Sequence, residues 1–201
     1  MTIKGQKTRV EILETSFQWA TQVGLTGLTI GGITERVGIS KSGLFAHFKD
    51  KETLQCAVVD YAAEIFTTKV LLPLLSIPKG LARIDAFQNA WWSHWLHDTC
   101  ANGHCIFGQA VVENTTLSQS VNDRVNNSLQ QLIEFMSADA LAAINSNELS
   151  STTDPRQFAL ETYAIMTGFS RFNCISGEIN LPLSAKKAWQ AIVDSRKNTA
   201  V

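Results

Sequence analysis

The sequence predicts an all-α chain of about nine helices, on three observations. Apolar residues recur at three- and four-residue steps in one segment after another. No segment shows the strict alternation of a half-buried strand, and hydroxyl, Asp, Gly and Pro residues stand where helix ends need them. At 201 residues with 45% hydrophobic residues, the chain can fill one large core or two small ones.

In chain order, Thr8-x-x-Glu11 is a capping-box pattern opening a helix with Val10, Leu13, Phe17 and Ala20 inward, and Gly24 ends it. Lys4, Lys7 and Arg9 read as a basic arm, either a free tail or a contact for a phosphate or minor groove. Thr29 is suited to an N-cap, with Ile30, Ile33 and Val37 as the apolar stripe behind it and Gly38 as the turn. Ser40 caps a second short piece in which Leu44 and Phe48 share the inward face, leaving Lys41, Ser42, Phe45 and His47 on the remaining surface. Asp50 caps a third piece, so Lys51 sits where free backbone N–H groups and the positive end of a helix dipole welcome an anion. Two short helices joined by a tight Gly turn make a helix-turn-helix, whose second helix can enter a major groove about 12 Å wide. Residues 8–48 can then close a small core of their own. Gly31 and Gly32 each cost about 1 kcal/mol relative to Ala, which implies either a soft head or a close backbone approach.

From Asp50 a long helix runs through Leu54, Val58, Ala62 and Ile65 to Val70, until Pro73 and Pro78 interrupt it. Residues 80–98 place Ile84, Phe87, Trp91 and Trp95 on one side and Trp92 and Leu96 on another, so both sides need covering. A turn at Asn102-Gly103 leads to a helix from about Cys105 to Glu113, and Val121, Val125, Leu129, Leu132, Phe135 and Met136 are the stripe of a helix over 118–144. Asp154-Pro155 opens a helix after the polar run 145–153, with Phe158, Thr162, Ile165, Phe169 and Phe172 on one stripe and Leu160, Tyr163 and Met166 on a second. Gly168 lets a partner backbone come close, and a last helix spans Ser184–Arg196 with Ala188, Trp189 and Ile192 apolar. Apolar residues on more than one face of these late helices suggest a partner helix from a second chain.

The formal net charge of −1 does not advertise a nucleic-acid partner, although residues 1–52 carry a net +2 and the remainder −3. A missing apolar leader and the lack of any ~18-residue apolar run point to a cytoplasmic protein without a membrane span. Four irregularly spaced cysteines make no disulfide framework. His94, His97, Cys100, His104 and Cys105 have the chemistry of zinc ligands but not the spacing, so no metal or other cofactor is expected. Trp91, Trp92, Trp95, Phe107 and Phe169 can pack a core or line a cavity for a flat apolar molecule. Without a Gly-x-Ser-x-Gly elbow, a phosphate-cradling loop or paired carboxylates, catalysis is not expected.

The run G-I-S-K-S-G-L-F-A-H-F-K-D-K-E-T-L, with Thr29, Gly38, Ser40, Leu44, His47-Phe48 and Lys51-Glu52 in place, resembles the signature of the tetracycline-repressor (TetR) family. Gly103-His104-Cys105-Ile106 with Glu113 also resembles the matching stretch of many members. Thr34, Val37, Ser42 and Phe45 depart from the usual Ala, Ala, small residue and Tyr. The resemblance implies a helix-turn-helix DNA-binding domain over 1–52 and a helical effector-binding and dimerisation domain over 53–201. Geometry and resemblance together put Lys41, Ser42 and Phe45 at the groove and Thr29, His47 and Lys51 on phosphates, with Gly43 also among the DNA-binding residues. Phe158, Thr162, Phe169, Trp189 and Ile192 are the candidates for a homodimer interface between the last two long helices, and the five aromatics above for an effector pocket. The implied function is a homodimeric repressor of a palindromic double-stranded DNA operator, released by a small molecule. The alternatives are a DNA-binding dimer acting through a protein partner without sensing, and a regulator responding through cysteine or metal.

Overall fold

The computed structural model describes residues 3–100, 105–174 and 180–197, with side chains over 5–100, 105–172 and 180–197. It is all-α, with no strand among the described residues. The helices are α1 (Ile3–Val23), α2 (Ile30–Val37), α3 (Lys41–Phe45), α4 (Lys51–Phe66), the single turn α5 (Leu72–Leu74), α6 (Leu81–Ala90), α7 (Ile106–Val112), α8 (Gln119–Asn145), α9 (Pro155–Ser170) and α10 (Leu181–Ser195). Wider π-helical turns follow α4 at Thr67–Leu71 and α6 at Trp91–His97, and a 3₁₀ turn, Arg171–Cys174, follows α9. The chain forms two compact units, 1–67 with 96–128 and 68–95 with 129–201.

In the first unit, the boundary expected after residue 52 falls inside α4. That helix packs along α1, where Phe17 and Tyr61 meet edge to face with centroids 6.0 Å apart. Ile12, Phe17, Ala20, Leu28, Ile33, Leu44, Phe48, Leu54 and Val58 are all buried. The start of α1 differs from the expectation. The helix is already formed at Ile3, so Thr8-x-x-Glu11 is an internal turn rather than a cap, and Lys7 and Arg9 are helical residues rather than a free arm. The inward face is also rotated, with Ile12 and Ser16 at 0% exposure and Val10 at 52%. Arg9, not Val10, is the α1 residue that meets the helix-turn-helix at this end. The caps foreseen at Thr29, Ser40 and Asp50 are all made. Asp50 accepts from the Thr53 backbone N–H and hydroxyl, each at 2.7 Å, and these bonds hold its carboxyl below the usual carboxylate range.

The second unit centres on Ile84, Ala140, Ala143, Leu149, Phe158, Trp189 and Val193. Asp154 caps α9 by accepting from the backbone N–H groups of Arg156 and Gln157, with Pro155 in the first turn as expected. The α10 helix begins three residues before the expected Ser184, because Asn180 caps it and Pro182 occupies its first turn. α9 packs against α10, and this spends three of the expected interface residues inside the chain. Phe158, Thr162 and Trp189 are exposed by only 0, 1 and 3%; Phe158 and Trp189 pack the unit's own core, and the buried Thr162 hydroxyl donates to the Phe158 carbonyl. Phe169 and Ile192 are half-buried. The outward stripe of α9 is instead Leu160, Ala164 and Gly168, followed by Phe172, which is 52% exposed rather than part of the buried stripe.

Candidate nucleic-acid interface

A five-residue helix does not hold itself together in water, so the conformation of α3 is imposed by its ends and its inward face. At the first end, Ser40 Oγ accepts from the Gly43 N–H at 3.0 Å and lies 2.9 Å from Ser42 Oγ. The inward face is Leu44, fully buried, and Phe48 lies just beyond the last helical residue at 1% exposure. At the second end the Arg9 guanidinium donates to the His47 carbonyl at 3.0 Å and lies 4.3 Å over the Phe48 ring centroid. Lys41 and Phe45, one turn apart, remain outward beside Ser42, and Phe45 is 47% exposed.

The partner helix α2 is fixed in a similar way. Thr29 Oγ1 accepts from the Gly32 N–H at 3.1 Å, and Gly38, at φ 74°, turns the chain in the left-handed region toward α3. Arg36 donates to the Gly32 carbonyl at 3.2 Å and stacks 3.9 Å from the Trp19 ring centroid. A Cβ on Gly32 would overlap that Trp19 ring, so the second glycine of the pair serves a close approach between α1 and α2. A Cβ on Gly31 meets nothing within 4 Å, and nothing in the structure explains that glycine.

Of the residues expected at DNA, Thr29, Lys41, Ser42 and Phe45 are exposed, and Gly43, His47 and Lys51 are half-buried. His47 Nδ1 is enclosed without a hydrogen-bond partner, which leaves Nε2 as the ring atom able to meet a phosphate. Lys51 Nζ donates to the Thr26 carbonyl at 2.8 Å, so its ammonium is anchored above the α4 N-terminus with two N–H groups to spare. Arg9 is no arm, and Gln55 and Glu113 also hold the head. Gln55 Nε2 donates to the Leu25 carbonyl at 2.7 Å, and Glu113 accepts from the backbone N–H groups of Leu25 and Thr26. None of these pairings has a local signal, because the partners are tens of residues apart.

The other candidate residues divide between the two units. Trp91 and Trp95 are buried in the second unit, and Trp92 is half-buried with its ring edge-on to Trp91 at 5.0 Å. Phe169 is half-buried in the same unit, whereas Phe107 belongs to the first, edge-on to Phe66 at 6.5 Å. Gln88, about one turn before Trp91 and Trp92, is 3% exposed with both ends of its amide unpaired. His94 and His97 are exposed, Cys100 and Cys105 are buried, and His104 lies outside the described residues. No group of three or more metal-ligating side chains is found among the described residues. Burial pushes the Cys56 thiol up in pKa, against the pull of the neighbouring Arg124.

Residues 12–58 match the family described as bacterial regulatory proteins, tetR family, and residues 80–177 match the tetracyclin repressor-like C-terminal domain. Among solved structures, a TetR transcriptional regulator from Chloroflexus aurantiacus is 23% identical with a TM-score of 0.86, over 97% of this chain and 98% of that one. A TetR-family regulator from Cytophaga hutchinsonii is 14% identical at a TM-score of 0.86, with both chains covered completely. AibR, solved in complex with isovaleryl coenzyme A and operator DNA, is 17% identical at a TM-score of 0.72, over 94% of this chain and 97% of that one. At these identities the likeness is one of fold. No functionally curated protein matches the sequence.

Proposed function

Since this chain belongs to the TetR family of bacterial transcriptional regulators, we propose that it is a cytoplasmic homodimeric repressor that grips a palindromic operator and releases it when a small molecule binds. The observation that carries the DNA-binding part is the outer face of α3. Lys41, Ser42 and a 47% exposed Phe45 point away from a helix whose other side is locked by Leu44, Phe48 and Arg9. A large ring left in water on a rigid five-residue helix suits a groove wall, where it can lie against a sugar edge or a thymine methyl. Thr29, His47 and Lys51 flank it as phosphate contacts, with Gly43 letting the backbone come close.

A two-fold dimer is the natural way to use so small a reader, because it presents two copies about 34 Å apart to successive major grooves. The outward stripe Leu160, Ala164 and Gly168 supports such a dimer, and Phe169 and Ile192 are half-buried. For the effector, Trp91, Trp92, Trp95 and Phe169 are the candidates, and Gln88 adds a buried amide whose donor and acceptor both lack a partner. An unpaired buried amide costs about 1–3 kcal/mol per group, which a flat apolar ligand carrying an adjacent donor and acceptor would relieve. Phe107 is left to the core of the first unit. Nothing in the reading calls for catalysis, and among the described residues no helix is long and apolar enough to cross a membrane.

The DNA roles separate by mutation. Lys51→Ala is expected to weaken selected and random duplexes alike and to lower the salt slope of binding by about one. Lys41→Ala is expected to cost about 1–3 kcal/mol on the preferred sequence and less on random DNA. Titrations at two or more salt concentrations check both, and Lys51→Ala binding as tightly as the parent at matched salt refutes the phosphate role. A compound present at 100 times its dissociation constant is expected to stabilise the protein by about 2.7 kcal/mol in a thermal-shift screen.

A further inference from the structure

The α1–α2 loop is held from two directions. Glu113, the residue that closes α7, lies within the segment matching the C-terminal family, whereas Gly24, Leu25 and Thr26 lie within the segment matching the N-terminal one. The Glu113 carboxylate accepts three hydrogen bonds from the loop. Oε2 accepts from the Leu25 N–H at 3.0 Å and the Thr26 N–H at 3.3 Å, and Oε1 accepts from the Thr26 hydroxyl at 2.8 Å. Bonds to an ionised acceptor are roughly twice as strong as neutral ones. The chain makes room for this carboxylate at Gly24, where φ is 76° and any Cβ would overlap Oε1. From the other side, α4 takes the carbonyls of the same two residues, Leu25 through Gln55 and Thr26 through Lys51. Two consecutive residues thus have both N–H groups tied to α7 and both carbonyls tied to α4. Two residues later Leu28 is fully buried, and Thr29 then caps α2.

We propose that Glu113 is a positioning residue that couples α7 to the DNA-reading helices through this loop. It rests on the DNA-binding function proposed above and concerns how that binding is regulated. If α7 shifts, the loop and the cap of α2 must follow it, or three hydrogen bonds must break. Lys51 lies in the same network and carries the displacement to the α4 N-terminus. Because coupling between two sites is reciprocal, DNA held by the head must also be felt at α7.

Hydrogen exchange on the full-length protein, free and bound to a duplex selected from a random pool, tests this without any effector. In the parent, the duplex is expected to slow exchange in the α7 amides as well as in residues 40–48. Glu113→Ala is expected to keep the slowing in residues 40–48 while that in α7 falls by about tenfold, within the range of ordinary coupling energies. Glu113→Gln is expected to retain most of it, since its carbonyl can take both N–H groups and its amide can donate to the Thr26 hydroxyl. A merely structural role would lower protection throughout the unit and leave the α7 response to DNA intact. Should Glu113→Ala not fold, Thr26→Val, which deletes only the hydroxyl bond, is expected to weaken the α7 response in part. Parent-level slowing in α7 in whichever of these two variants folds overturns the proposal, as does a parent whose α7 never responds to the duplex. Failure to select any duplex would instead sink the DNA-binding function itself.

Discussion

Glutamate at both Ala164 and Gly168 is expected to leave a folded monomer that no longer holds its operator. The two positions lie four residues apart with Leu160 on one face of α9, all three exposed, and a Cβ added at Gly168 meets nothing within 4 Å. Phe158, Thr162 and Met166 occupy the opposite face at 0, 1 and 0% exposure, so the substitutions leave the core of the unit untouched. In an isologous dimer each residue near the axis meets its own copy, and four carboxylates would then be driven together. Like charges in a desolvated interface cost several kcal/mol, enough to dissociate it. A single head keeps little more than non-specific grip, so affinity for the selected duplex should fall by about 10³-fold or more. Sedimentation velocity gives the mass and a titration gives the affinity. A double variant that stays dimeric moves the interface to another face.

Phe48→Ala is expected to cost about 3–5 kcal/mol, a large part of the stability of a small unit. Phe48 is 1% exposed, in a unit that also buries Ile12, Phe17, Leu28, Ile33 and Leu44, each at 0 or 1%. Its removal leaves a cavity and strips the face over which the Arg9 guanidinium lies, 4.3 Å from the centroid. Arg9 would then hold the end of the reading helix only through the His47 carbonyl. The lost stability should appear as a lowered urea midpoint, with faster amide exchange in residues 28–48. Phe48→Leu should recover much of both, because it keeps most of the volume but not the ring. A midpoint for Phe48→Ala within experimental error of the parent would mean that the head is not held from this side.

What was legible in the sequence followed from rules that act over a few residues. Thr29, Ser40, Asp50 and Asp154 cap the helices they were expected to cap, because an N-cap needs only a short polar side chain and backbone N–H groups two or three residues on. The same local rules misled where a pattern had two readings. Thr8-x-x-Glu11 looks like a start although the helix begins at Ile3, and the start of α10 went unread at Asn180 and Pro182. Periodicity finds two apolar faces on α9 but cannot say which one packs against α10, and Phe158 and Thr162, expected at an interface, are buried within the chain. The contacts that orient the site were invisible because they join distant residues. Arg9 reaches a carbonyl 38 positions away, and Glu113 an amide 88 positions away. No spacing rule connects such pairs before the chain is folded.

The most direct measurement is selection of bound duplexes from a random-sequence pool by the purified protein, followed by sequencing. The expected result is an inverted repeat whose half-site centres lie one helical turn, about 34 Å, or a multiple of it apart. The same selection with Lys41→Ala should change the bases within each half-site while keeping their separation. Recovery of a single unrepeated half-site would contradict the two-fold dimer, and no enrichment over random DNA would contradict the reading role of α3.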